Sequence, residues 1–312
     1  MIQRFRMSGP PHARAALKGR RVLVTGARGF LGSHLMVALA AEGADARPFK
    51  GDIVDAGAVN AAVSSVRPEL VFHLAAYGTT PVQQEDARIR DVNIGGAERL
   101  WNAVDRWPCR VVHTGTCGEY GPAPCPLTED HPCHPTSVYT QSVHDAVLLS
   151  LDRARRGDRE LVVLRPFGPF GPGDRPERLV PHVIDGLLSG KRVAVTSGEQ
   201  RRDYSYVSDH VRAMILAGTT ALDERSTVLN IGAGAPIRVR TLVETIAALV
   251  DAGALARVGF GDVPLRQTDL SDMFADTRAA RRVLGYEPVV SLEEGLARTI
   301  AWHRTARSGS VR

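Results

Sequence analysis

The stretch Arg20-Arg21-Val22-Leu23-Val24-Thr25, followed at once by Gly26-Ala27-Arg28-Gly29-Phe30-Leu31-Gly32 and then by a helical pattern over 33–41, decides the fold. A short β-branched run, a glycine turn and a helix stand in the order that brings a helix N-terminus up to the end of a strand. Glycine lets backbone approach backbone or ligand where a Cβ would intervene, and the partial positive charge of the helix start favours an anion such as a pyrophosphate. Three glycines carry little weight in a chain with 30 of them; the flanking elements carry most of it.

Working outward, strand-like runs at 44–49, 70–74, 111–114 and 161–164 alternate with helical stretches at 55–66, 87–105 and 139–156. Such alternation predicts an α/β fold, a doubly wound parallel sheet covered on both faces. After Arg165 the pattern loosens into Pro/Gly-rich turns and then short strands and helices that end in a helix at 292–304. The expected organisation is a flexible leader over 1–18, a first domain over 19–165 with returning segments at about 203–235, and a smaller interleaved domain from 166–202 and 236–312.

The composition of 312 residues, 44% hydrophobic and 23% charged, fits a globular chain with a sizeable core. The net charge of +5 is spread over scattered arginines without a basic block, so it points to an anionic small molecule and away from nucleic acid. No apolar run reaches membrane-span length, and the leader lacks the apolar core of a signal peptide. Cysteines at 109, 117, 125 and 133, with His131 and His134 nearby, have a regular spacing. They fall on unlike elements, however, so we expect reduced thiols in a cytoplasmic protein and no metal.

From about residue 20 to residue 302 the chain resembles the extended short-chain dehydrogenase/reductase family, in the branch that modifies nucleotide-linked sugars. The resemblance is carried by the glycine turn, Gly51-Asp52-Ile53, His73-Leu74-Ala75-Ala76, Asn93, Thr116-Cys117-Gly118-Glu119-Tyr120-Gly121, Tyr139, Arg165-Pro166, Arg202-Asp203-Tyr204 with Val207 and Asp209, and Leu284-Gly285-Tyr286. It implies a Rossmann-type sheet and a substrate held against the C-terminal part. The cofactor residues it implies are Gly26, Arg28, Gly29, Phe30, Leu31, Gly32, Asp52, Ile53, Leu74, Ala75, Ala76, Asn93, Tyr139 and Pro166. Arg47 and Lys50, at the second strand's end, join Arg28 in favouring a 2′-phosphate, hence NADP over NAD.

On the substrate side the resemblance implies Tyr77, Cys117, Gly118, Gly168, Val195, Arg202 and Arg266, the two arginines as diphosphate ligands. It also implies Tyr139 as acid/base and Thr116 as ligand of the reacting oxygen. Relatives place a lysine one helical turn after the tyrosine, where it lowers the phenol pKa; here that position is Val143. An ordinary phenol, with a pKa of about 10, remains protonated at neutral pH. His113, His134 and His144 are candidate substitutes, although His144 sits about 100° around the helix from Val143.

This departure weakens chemistry that begins by oxidising a sugar hydroxyl more than it weakens ketone reduction. Cys117 and Gly118 stand where similar dehydratases carry an acidic pair, so elimination ranks last. The expected function is NADPH-dependent reduction of a nucleotide-diphosphate 4-keto sugar. The alternatives are a 4-epimerase with tightly bound NAD and a catalytically impaired binding protein. Activity created only by Val143→Lys favours the last. The resemblance further implies a homodimer through the helices at 87–105 and 139–156.

Overall fold

The computed structural model describes residues 16–80, 82–265 and 272–309. Its centre is a six-stranded sheet in the order β10-β5-β4-β3-β1-β2. The strands are β1 (Arg21–Thr25), β2 (Asp45–Pro48), β3 (Leu70–His73), β4 (Arg110–Thr114), β5 (Leu161–Pro166) and β10 (Ser226–Ile231), and every pairing is parallel. Parallel strands need crossovers, and the helices that supply them cover both faces. The period of two along each strand divides the core. Val22, Val24, Phe72 and Val112 face Leu35 and Leu39 of helix Phe30–Ala41 and Val211 and Leu216 of helix Val207–Thr219. Leu23, Val71, Val111 and Val163 face Val63, Leu100, Trp101 and Val147 on the other side.

The chain leaves β1 for β2 on one side and returns to β3 on the other. This reversal of winding opens a crevice at the carboxyl ends of β1 and β3, the place where such sheets bind ligands. Three short sheets flank it. The segment β6 (Pro169–Phe170) pairs with β9 (Ser205–Tyr206), β7 (Val193–Val195) pairs with β12 (Val258–Phe260), and β8 (Arg201–Asp203) lies between β11 (Pro236–Arg238) and β13 (Asp272–Met273). Helices Leu179–Leu188, Val239–Val250 and Leu292–Gly309 contribute to a second apolar core with Phe170, Val193, Val195 and Tyr206.

Two elements differ from the sequence expectation. The helix after the glycine turn starts at Phe30, with Gly29 as its N-cap, three residues before the periodic pattern begins. A Cβ on Gly32 would collide with the Gly26 carbonyl, so the glycine turn is already the first helical turn. The helix expected over 87–105 is Asp86–Arg90 and Gly96–Val104 joined by a π-turn, Asp91–Gly95. A Cβ on Gly96 would lie 2.9 Å from the Ile53 side chain, so this helix needs glycine to pack close.

Candidate active site

A cavity of about 790 Å³ occupies the crevice. Its floor is the glycine turn. Gly26 has φ of 66°, and a Cβ there would lie 2.5 Å from the Leu74 carbonyl. Gly26→Ala should therefore push the turn off β3. We expect a loss of stability of about 1–3 kcal/mol from left-handed strain and at least tenfold weaker dinucleotide binding, by denaturant titration and calorimetry.

The opposite edge of the floor is held by a buried pair. Thr25 Oγ1 accepts the N–H groups of Leu74 and Ala75 at 3.2 Å each and lies 2.7 Å from His73 Nδ1. Burial pushes the His73 pKa down to about 4, so the ring is neutral. With Thr25 already accepting twice, its proton goes to Nδ1, and His73 carries its own on Nε2.

Ala27, Arg28, Gly29, Phe30, Leu31 and Gly32 line the cavity with Lys50, Asp52 and Ile53 on one wall and Leu74, Ala75, Ala76 and Tyr77 on the other. A glycine cradle beneath a helix N-terminus fits a dinucleotide pyrophosphate. Asp52 accepts from Arg88 at 2.6 Å, while Arg28 and Lys50 form no ion pair among the described residues. The far end is formed by Thr114, Gly115, Thr116, Cys117 and Tyr139, with Pro166, Gly168, Asp174, Arg175 and Arg178 across from them.

Thr116 is the N-cap of the short helix Cys117–Glu119; its hydroxyl accepts from Gly118 N–H at 3.2 Å, and the Glu119 carboxylate accepts from Thr116 N–H. The Thr116 proton remains available to donate to a substrate oxygen. Tyr139 sits in the first turn of helix Val138–Arg156, which Ser137 and Thr140 start with a capping box. Burial pushes the Tyr139 phenol up to about 12; Cys117 and Glu119 add to this, and Arg178 and Arg175 pull against it. Burial also raises the Cys117 thiol to about 11, so it stays protonated. Val143, one turn on, is buried and apolar.

Behind this end Glu119 is fully buried and accepts from Arg165 at 3.0 Å and from His144 at 3.2 Å. His144 thus faces Glu119, as its angular offset from Val143 requires. His113 is buried beside His73 and Ser150, away from the cavity. Glu119, Cys133 and His144 bring ligand atoms within 4.8 Å of one another. The Arg165 guanidinium already donates to both Glu119 and Cys133, so its charge occupies the place a cation would take.

Several expected site residues lie elsewhere. Arg47 points into solvent and pairs with Asp45 at 2.7 Å, because alternation along β2 turns it from the crevice. Asn93 is a buried brace, accepting from Tyr77 N–H and donating to Tyr77 O and Ser142 Oγ. Gly118 lies behind Thr116 with no room for a Cβ, 2.6 Å from Thr140. Val195 is packed in β7, and Arg202 in β8 donates to the Arg201 carbonyl; neither lines the cavity. Arg266 lies outside the described residues. Conversely, Asp174, Arg175, Arg178 and Arg88 line the cavity without having been anticipated.

The profile of the NAD dependent epimerase/dehydratase family matches residues 22–232. The chain is 33% identical to a UDP-glucose 4-epimerase of Mycolicibacterium smegmatis, over 91% of this chain and 98% of that one. It is 30% identical to a dTDP-glucose 4,6-dehydratase of Streptomyces griseus, over 92% and 95%. Among solved structures, the UDP-glucose 4-epimerase of Thermotoga maritima with UDP-glucose superimposes with a TM-score of 0.85 at 29% identity, covering 92% of this chain and 99% of that one. MoeE5 in complex with UDP-glucose and NAD does so with a TM-score of 0.80 at 32% identity, covering 92% and 99%. With its parallel sheet, glycine turn and cavity at the winding reversal, the chain belongs to the NAD dependent epimerase/dehydratase family.

Proposed function

We propose that this chain is a nicotinamide-dependent enzyme acting on a nucleotide sugar, and that it works as a reductase of a nucleotide-diphosphate 4-keto sugar. The observation that carries the reductive direction is Val143, buried and apolar one helical turn after Tyr139 where a cation would favour the phenolate, and burial raises the phenol further, to about 12. At neutral pH about one such group in 10⁵ is ionised, so it serves as a proton donor and is a poor acceptor from a sugar hydroxyl. Thr116 donates a hydrogen bond to the carbonyl oxygen and Tyr139 delivers the proton as that oxygen becomes an alkoxide. A bound nicotinamide dinucleotide supplies the hydride. Carbonyl, hydride and proton together make the alcohol. Arg28 and Lys50, which form no ion pair among the described residues, support NADPH; Arg47, paired with Asp45, does not.

Steady loss of reduced-nicotinamide absorbance with a nucleotide 4-keto sugar is the expected result. Substrate turnover without net change in the cofactor overturns the reductive reading. It would instead support a 4-epimerase retaining NAD, a reading favoured by the likeness to the mycobacterial epimerase. Leu148, half exposed on helix Val138–Arg156, supports a homodimer through that face, to be checked by sedimentation.

A further inference from the structure

The fully buried Glu119 carboxylate lies in a niche that only a glycine leaves open, because a Cβ on Gly115 would collide with its Oε1. Three donors reach it from three elements. Thr116 N–H, just past β4, donates to Oε1 at 2.9 Å; Arg165 of β5 and His144 Nδ1 of helix Val138–Arg156 reach Oε2 at 3.0 Å and 3.2 Å. Each of these elements carries a residue that lines the cavity: Thr116 itself, Tyr139 five positions before His144, and Pro166 next to Arg165. The Glu119–His144 contact is the one side-chain hydrogen bond from the turn 115–121 to that helix among the described residues. A buried carboxylate is a costly way to fill a core, and apolar side chains of similar volume often serve stability as well or better. What the carboxylate adds is direction, since both of its oxygens accept along fixed lines.

We propose that Glu119 and His144 are positioning residues that set Thr116 against Tyr139. The carboxylate holds the Thr116 N–H on one oxygen and the His144 ring on the other, so the hydroxyl that binds the substrate oxygen and the helix that presents the phenol are fixed as one unit. Rotation of that helix about its axis would swing Tyr139, and an anchor at His144, about 140° around from it, opposes the rotation. His144 therefore supplies geometry to the site, and the charge missing at Val143 stays missing. The proposal rests on the reading of Thr116 and Tyr139 as the reacting pair; the direction of the reaction does not enter.

The test compares His144→Ala, which removes the tie, with His144→Asn, whose amide nitrogen falls near the place of Nδ1 and keeps a donor there. Glu119 retains Arg165 and the Thr116 N–H in both variants, and the His144 side chain is 15% exposed, so water reaches the space it leaves. Trp101→Phe is the control: it removes one buried hydrogen bond from the same helix, at Ser150, without touching the Thr116 turn. His144→Ala should lower kcat about 10–10²-fold, the order expected of a misplaced reacting group, with KM for the dinucleotide within about threefold of the parent. His144→Asn and Trp101→Phe should both keep kcat within about threefold of the parent. Read without turnover, hydrogen exchange at the Thr116 amide should quicken in His144→Ala and slow again in His144→Asn. An unchanged kcat in His144→Ala, an equal loss in His144→Asn or in Trp101→Phe, or unaltered exchange overturns the proposal. Turnover is followed as sugar product in either direction, so a failed NADPH assay is a failure of the reductase reading alone.

Discussion

Tyr139→Phe should lower turnover by about 10²–10⁴-fold, the usual range for removing a positioned general acid, while leaving cofactor affinity and melting temperature nearly unchanged. The ring still packs at the start of helix Val138–Arg156, whose capping box lies on Ser137 and Thr140 and does not involve the phenol. The proton alone is lost. Measurement of kcat and KM at saturating dinucleotide checks this, and kcat within a factor of about three of the parent would remove Tyr139 from the chemistry. Because the phenol is raised to about 12, kcat in the reductive direction should show no downward limb from Tyr139 between pH 6 and 9. An oxidation-first reaction should instead rise through that window.

Glu119→Gln should cost about 3–5 kcal/mol of stability, the penalty for breaking a buried ion pair and leaving one charge uncompensated. The stranded group is Arg165, 5% exposed, whose remaining neighbours are the Tyr120 ring and the Cys133 thiol. Burial pushes the Glu119 carboxyl up, but the His144 hydrogen bond, the Arg165 charge and the Thr116 N–H outweigh it and hold the pKa below its usual value. A depressed folded pKa gives stability that is fully present above the unfolded value of about 4.3. That stability is lost as pH falls through the folded value. Urea titrations of parent and variant should therefore differ by a constant amount above about pH 5, and the gap should narrow as pH falls from there through the depressed folded pKa of Glu119. A gap that persists unchanged at the lower pH would show that the loss is one of packing.

The first five strands of the main sheet, the glycine turn and the crossover helices were legible in the sequence because each is local: short runs between turn residues, and glycines in a spacing that requires close backbone approach; the edge strand Ser226–Ile231 was not read. The chemical end was half legible. Thr116, Cys117 and Tyr139 were named from the resemblance, and all three line the cavity. Arg47 was misplaced because the strand end was known but the face to which residue 47 turns was not. Asn93 was found as a position, yet its work is to tie Tyr77 to Ser142, which depends on a π-turn that no local pattern announces. Arg175 and Arg178 follow directly on the glycine-rich turn that was read, ending at Gly173. Nothing local distinguishes them from surface arginines; only the tertiary fold brings them to the lining of the cavity.

The position of the last sheet strand has a consequence for how the protein is made. The core against helix Phe30–Ala41 includes Val211 to Ala217, Leu229, Ile231 and then Ala280, Leu284 and Tyr286. A ribosome that has delivered residue 166 has synthesised five strands whose outer edge, β5, still lacks its partner, and the β4–β5 part of the face shared with helix Phe30–Ala41 remains uncovered until the helix Val207–Thr219 emerges. The nascent chain thus passes through a long interval with an open β edge and bare apolar surface, the condition that invites chaperone binding. A truncation after residue 166 should be trapped by a holdase or aggregate, and supplying residues 167–312 as a second chain should rescue its solubility.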